Sequence, residues 1–212
     1  MQIQLSMTGY HPVTIGENVQ GDQLTDKEIR AVLVDFLKGR PVAPKAVLEE
    51  VRVHNGNAIA DVVSIHNMAH CYEIKGETDA ISRITRQGAF YDQAFQRITL
   101  VTTKNHERQA FQLAPTHWGV VVASKASDGT LMLRYMRKAT DSPRFNKEVA
   151  LLTLWKCELL ALCGVEEKAA QKLSRANLTK MIATKTGVRE VNISIAQSLL
   201  GRQTQTGWPA TI

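Results

Sequence analysis

Asn55-Gly56 is the feature that most restricts this chain. Both central positions of a tight two-residue hairpin turn need positive φ, which Asn tolerates and Gly adopts freely. The flanking runs, at about 47–54 and 57–66, are strand-like and apolar. A two-residue turn pairs His54 with Asn57, so opposed residue numbers sum to 111. Arg52 then faces Ile59, and Glu50 faces Asp61. Opposed Cβ atoms lie roughly 4.5–5.5 Å apart, so the two carboxylates repel each other unless a cation stands between them. Strict alternation sends Glu49, Val51 and Val53 to the other face with Ala58, Ala60 and Val62. This selects Glu50 over Glu49 as the partner of Asp61.

A third strand-like run at 70–75 requires a second reversal near Asn67. With numbers summing to about 134, Asp61 opposes Glu73, and any even sum keeps Asp61, Glu73 and Lys75 on one face. The expected outcome is three carboxylates and a lysine converging on one face of a sheet.

The surrounding elements give a mixed α/β core. Thr25 and Glu28 have capping-box spacing before a helix carrying Ile29, Val32, Leu33, Phe36 and Leu37, stopped at Gly39-Arg40-Pro41. Thr78 or Asp79 is expected to cap a second helix bearing Ile81, Ile84, Phe90, Tyr91 and Phe95. Ile98–Thr102 and Gly119–Ala123 read as buried strands, and Asp128-Gly129 turns the chain into Leu131–Tyr135. Beyond Pro143 the pattern becomes helical: one helix over 146–163, a second after Ser174 or Asn177 ending at Gly187, and a third over about 191–200. The expected division is an extended arm over 1–23, an α/β domain over 24–143 and a basic helical region over 144–212.

Charge sharpens that division. The chain carries a net charge of +6. Residues 1–133 hold 13 Lys/Arg against 14 Asp/Glu, whereas residues 134–212 hold 13 against 6. A basic C-terminal third attracts polyanions such as DNA or RNA, although a solvated basic surface explains the charge equally well. Three cysteines without paired spacing suit a reducing cytoplasm better than a disulfide framework. No apolar run approaches a membrane span, and Met1 to Gln20 lacks the pattern of a signal peptide. Neither a Gly-rich phosphate loop nor a nucleophile elbow is present.

Asp61, followed after eleven residues by Glu73-Ile74-Lys75, resembles the D…(D/E)xK signature of the PD-(D/E)XK nuclease superfamily. Gln87 and Tyr91, one helical turn apart after the E-x-K strand, extend the resemblance, as does Arg83. Ala60 stands where the motif's name has proline. The overall plan also resembles a small bacterial and phage family that joins such a core to a basic helical tail. The resemblance implies a restriction-endonuclease-like αβββαβ core with a mixed central sheet and an all-α C-terminal extension. It implies Mg²⁺ or Mn²⁺ held by Asp61, Glu73, the Ile74 carbonyl and Glu50, with Lys75 acting on the attacking water. Gln87 would support the site.

DNA is the implied substrate, with Arg83, Arg86, Lys172, Arg175 and Lys180 as candidate contacts. A homodimer or protein partner through the C-terminal helices is a further expectation. The rival readings are a non-catalytic nucleic-acid-binding module and an assembly component using the tail. Tyr91 and Trp118 are read as core residues and Glu28 as a cap. His66, His70 and Cys71 lack a fourth ligand for zinc.

Overall fold

The computed structural model describes residues 23–164 and 170–204, with the side chains of 203 and 204 left aside. The expected arm over 1–23 lies almost entirely outside the described residues. Helix α1 (Asp26–Lys38) leads into strands β1 (Ala46–Val53), β2 (Ala58–Ile65) and β3 (Ala69–Lys75). Then come α2 (Ile84–Ala94), β4 (Arg97–Thr103), α3 (Glu107–Leu113), β5 (Gly119–Lys125) and β6 (Leu131–Arg137). The C-terminal region holds α4 (Lys147–Leu151), α5 (Lys156–Cys163), α6 (Arg175–Lys185) and α7 (Val188–Thr204).

The six strands form one mixed sheet in chain order. The first three make an antiparallel meander, β3–β4 and β4–β5 run parallel, and β6 returns antiparallel. Parallel neighbours need crossovers, which α2 and α3 supply. Both hairpin registers agree with the sequence. Val51 faces Ala60 and Arg52 faces Ile59, while Val62 faces Tyr72 and Val63 faces Cys71. Asn55 and Gly56 have φ of 61° and 90°, and the Asn57 N–H closes the turn onto the His54 carbonyl.

Each face of the sheet carries its own apolar cluster. On one side Ile29, Val32, Leu33 and Leu37 of α1 pack on Val62, Tyr72, Ile74, Val101 and Val121. On the other, α2, α3 and the C-terminal helices share a continuous core with Val51, Ala60, Val63, Cys71, Leu100 and Val120. Leu151, Leu154, Leu159, Leu178, Val191 and Leu199 belong to that same core. Burying these side chains is the main favourable term holding the helices to the sheet. Among the described residues no helix is long and apolar enough to cross a membrane.

Three local expectations need correction. Alternation does not hold through the first hairpin. Leu48 packs toward the α2 core, as do Val51 and Val53, so the parity of the strand slips at Glu49–Glu50. On β2, Ala60 and Val63 face that core while Val62 faces α1, so a matching slip falls beside Asp61. Glu50, at φ 54°, makes the break. Asp79 does not cap the second helix; its carboxylate takes the Gly76 N–H at 2.7 Å, and a short 3₁₀ turn (Ile81–Arg83) precedes α2. The helix expected over 146–163 is two helices, because the chain turns between Leu151 and Lys156, where Glu158 accepts the Trp155 N–H at 2.6 Å.

Gly76 positions α1 against the end of β3. A Cβ there would lie 2.9 Å from both the Asp26 nitrogen and the Leu24 carbonyl oxygen, and the next residue donates its N–H to Leu24. Backbone cannot yield as a flexible side chain can. Gly76→Ala is therefore expected to destabilise the protein by about 1–3 kcal/mol. Urea denaturation checks this, and an unshifted midpoint would show that the contact is slack.

Candidate functional site

The candidate site forms where β2 and β3 part. Their pairing ends at Val62–Tyr72, leaving Asp61 and Glu73 beyond the last rung. Asp61 turns into the gap, and its Oδ2 accepts the Ile74 N–H at 2.7 Å. Glu73 and Lys75 lie on the α2 side of β3, because Tyr72 and Ile74 face α1. The expectation that Asp61 shares their face is thus replaced by a different geometry. Asp61 lies at the slip between the Arg30 guanidinium and the Ile74 N–H, and the charges of Glu73 and Lys75 act on it across the parted strands.

Glu73 is 1% exposed and Lys75 8%. Lys75 Nζ donates to Glu73 Oε1 at 2.6 Å, and the Thr102 hydroxyl holds the Lys75 carbonyl from β4 at 3.1 Å. Glu73 Oε2 is buried without a partner among the described residues, as is Gln87 Oε1 on α2. An unpartnered buried carboxylate oxygen is costly and calls for a cation, a water or a ligand. Tyr91 lies beside them, its hydroxyl donating to the Ile59 carbonyl at 2.6 Å. Burial, then the Glu73 charge, pushes the Tyr91 pKa well above its ordinary value. Tyr91 is fully buried, as expected of a core residue.

Glu50 does not join this cluster as a third inward carboxylate. Its side chain is 73% exposed and reaches Arg30 Nη1 at 3.3 Å, while Glu49 reaches the same nitrogen at 3.9 Å. The slip turns both glutamates to the α1 side, so the choice of Glu50 over Glu49 by alternation fails. Arg30 also contacts Asp26 Oδ1 at 3.1 Å and Asp61 Oδ1 at 3.4 Å. It is the cation that opposed Glu50 and Asp61 require. Sequence reasoning missed Arg30, although Asp26 and Arg30 have the i, i+4 spacing of a helical ion pair.

Among the described residues, no three His, Cys, Asp or Glu side chains converge as a metal-binding group. Two carboxylates remain, Asp61 and Glu73, with the Ile74 carbonyl between Glu73 and Lys75 in the chain. That donor set fits Mg²⁺, which keeps several waters and is commonly held by one or two carboxylates plus substrate oxygens. The unpartnered Glu73 Oε2 is the observation that favours the fit. His66, His70 and Cys71 make no zinc site: Cys71 packs in the α2 core, while His70 stacks on Tyr72 and bonds Thr99.

Of the expected nucleic-acid contacts, Arg83 and Arg86 are exposed at the start of α2, and Lys172 and Lys180 are exposed in the C-terminal region. Arg175 is different. Its guanidinium donates to the Leu152 carbonyl, to the Leu154 carbonyl at 2.6 Å, and to Asn55 at the hairpin turn. It fastens the C-terminal helices to the sheet and has little left for a phosphate. A second buried polar cluster was also not foreseen. Asp92 Oδ1 accepts from His117 at 2.7 Å and from Trp118 at 2.6 Å, tying α2 to the start of β5.

Burial, then the neighbouring Glu73 charge, raises the Asp61 pKa to about 7, against the pull of the Ile74 N–H and Lys75. An unfolded Asp titrates near ~3.9. The folded state therefore keeps a proton that the unfolded chain releases. This contribution is fully present below about pH 4 and is lost as pH rises through 7. Asp61→Asn should flatten that loss and exceed the parent by about 2 kcal/mol at pH 8 without divalent metal. Urea melts at pH 4.5 and 8 test this; parallel profiles would contradict it. Arg175→Ala should cost about 2–3 kcal/mol of stability, from hydrogen bonds to a charged donor. An unchanged melting curve with weakened DNA retention would instead make Arg175 a surface contact.

A family model described as Bacteriophage P4 protein cII matches residues 19–208. Protein cII of Enterobacteria phage P4 is 21% identical over 180 residues, covering 84% of this chain and 68% of that protein. Among solved structures, the SPO1766 protein of unknown function from Silicibacter pomeroyi is 16% identical. The match covers 79% of this chain and 85% of that one, at a TM-score of 0.35. The family match spans both the sheet and the C-terminal helices, and this chain belongs to the Bacteriophage P4 protein cII family.

Proposed function

We propose that this protein is a divalent-metal-dependent nuclease of the PD-(D/E)XK type, acting on DNA through Asp61, Glu73 and Lys75. The observation that carries the reading is the buried Glu73 carboxylate, one oxygen clasped by Lys75 and the other unpartnered, beside Asp61 at a parting of two strands. The element order α1–β1–β2–β3–α2–β4, with β3 and β4 parallel, agrees with the core that the motif implies.

In this reading Asp61 and Glu73 hold Mg²⁺ or Mn²⁺ with the Ile74 carbonyl. The ion supplies charge neutralisation at the phosphate and a more acidic bound water. Lys75 holds the attacking water and stabilises negative charge on the phosphate oxygens. The water oxygen would attack phosphorus as its proton passes to solvent, one P–O ester bond would break, and the departing oxygen would take up a proton from solvent. Gln87 Oε1 accepts a hydrogen bond from water at the site. Arg86, exposed on the same helix as Gln87, and Arg83, exposed in the turn before it, bind flanking phosphates. The basic C-terminal region, through Lys172 and Lys180, adds sequence-independent affinity.

A second reading, a nuclease-like fold that binds nucleic acid without cutting it, is favoured by the exposure of Glu50 and its engagement with Arg30. Supercoiled, linear, single-stranded and branched DNA with Mn²⁺ separate the two. Asp61→Asn and the paired Glu73→Gln/Lys75→Met variant should each lower cleavage at least 100-fold while circular dichroism and DNA retention persist. The paired variant avoids leaving one buried charge alone. Undiminished cleavage would exclude this site. Salt-dependent DNA retention without cleavage by the parent protein would establish the second reading.

A further inference from the structure

Arg30 meets four carboxylates. It lies 3.1 Å from Asp26, 3.3 Å from Glu50, 3.4 Å from Asp61 and 3.9 Å from Glu49, and its own side chain is 18% exposed. One guanidinium thus serves four carboxyl groups. Across the strand gap, Glu73 Oε2 is a fifth carboxylate oxygen, buried and unpartnered. The Arg30 contacts are unequal. Asp26 is the shortest and lies one helical turn away on α1, so it anchors the arginine. The contact to Asp61 is longer and comes from the same nitrogen, Nη2, that serves Asp26. Losing it leaves Arg30 with Asp26, Glu49 and Glu50.

We infer that Arg30 is a built-in competitor for the metal. It occupies Asp61 Oδ1 until a divalent cation takes that carboxylate, and then withdraws onto Asp26, Glu49 and Glu50. The inference rests on the proposed metal-dependent reading of the Asp61–Glu73 site. It also gives Glu49 and Glu50 a role that direct ligation does not. They are the acceptors that receive the displaced guanidinium, which suits their position and exposure on the α1 side. Arg30 is a positioning residue in this scheme, acting on the metal through Asp61. A guanidinium is a fixed charge that cannot be deprotonated at working pH, so only movement can relieve the competition.

Mn²⁺ titration of the full chain, read by calorimetry and by the electron paramagnetic resonance of free Mn²⁺, tests the inference. Arg30→Gln should bind Mn²⁺ about tenfold more tightly than the parent, and Arg30→Lys, which keeps a charge, only a few-fold more tightly. In the parent protein, the Arg30 guanidinium resonances should shift on adding Mg²⁺ and saturate at the concentration that saturates the site. This readout holds even if the glutamine variant folds poorly. Equal or weaker Mn²⁺ binding by a folded Arg30→Gln, or Arg30 resonances unmoved by saturating Mg²⁺, overturns the inference and leaves the metal site standing. Absence of Mn²⁺ binding by every folded protein overturns both.

Discussion

The parting of β2 from β3 is the constraint on which the rest of this region depends. A fully zipped hairpin would hold Asp61 and Glu73 in ladder positions with their backbone groups paired. Instead the ladder stops one rung earlier, and the Asp61 carboxylate takes the N–H of Ile74. Freed backbone donors must be satisfied, and here a side chain does so. The matching slip on β1 places Glu50 at φ 54°, a conformation uncommon for a non-glycine residue. Strain of that kind persists only where the surrounding structure holds it, and there the Glu50 side chain pairs with Arg30.

The Glu73–Lys75 pair is the second unusual expenditure in the sheet. Removing two opposite charges from water costs several kcal/mol, and replacement by apolar residues is often neutral or stabilising. A chain selected for stability alone has little reason to put such a pair near the sheet's centre. Its location is nevertheless well supported. Lys75 is fixed through its carbonyl by Thr102, and the Glu73 charge acts on Tyr91 and Cys71, both fully buried. The pair is rigid on one side and, through Glu73 Oε2, unsatisfied on the other. Preorganised polar groups of this sort suit a site that must meet a charged ligand without rearranging.

Much of this was legible in the sequence because it follows from local rules. Asn55-Gly56 dictates a turn and the turn dictates a register, while the second register, taken from a reversal near Asn67 with a sum of about 134, is the one observed. The capping box at Thr25 and Glu28 is likewise written in two residues. The slip at Glu49–Glu50 was not legible, because alternation is an average property and a bulge is decided by what lies across the strands. Arg30 escaped notice because a helix read for its apolar stripe yields Ile29, Val32 and Leu33 and passes over the arginine that follows Ile29. The division of the 146–163 helix depends on Glu158, which takes the Trp155 N–H and also pairs with Arg202, 44 residues further on. Arg175 counted as a positive charge in the sequence and proved to be a fastener. Charge composition cannot distinguish the two.

The core shared between the sheet and the C-terminal helices has a consequence for how the chain comes to be folded. The cluster beneath α2 runs from Ala46 to Leu199, and Arg175 and Lys147 bind carbonyls contributed by turns of the C-terminal helices. One face of the sheet therefore obtains part of its cover, beside α2 and α3, from helices that follow all six strands in the chain. A growing chain that has already emitted all six strands still displays an open apolar surface until α6 and α7 arrive. The meander can pair early, since its turns are local, but this core closes only once those helices are in place. The helical region that looks like an appendage in the sequence is, in the order of assembly, the keystone.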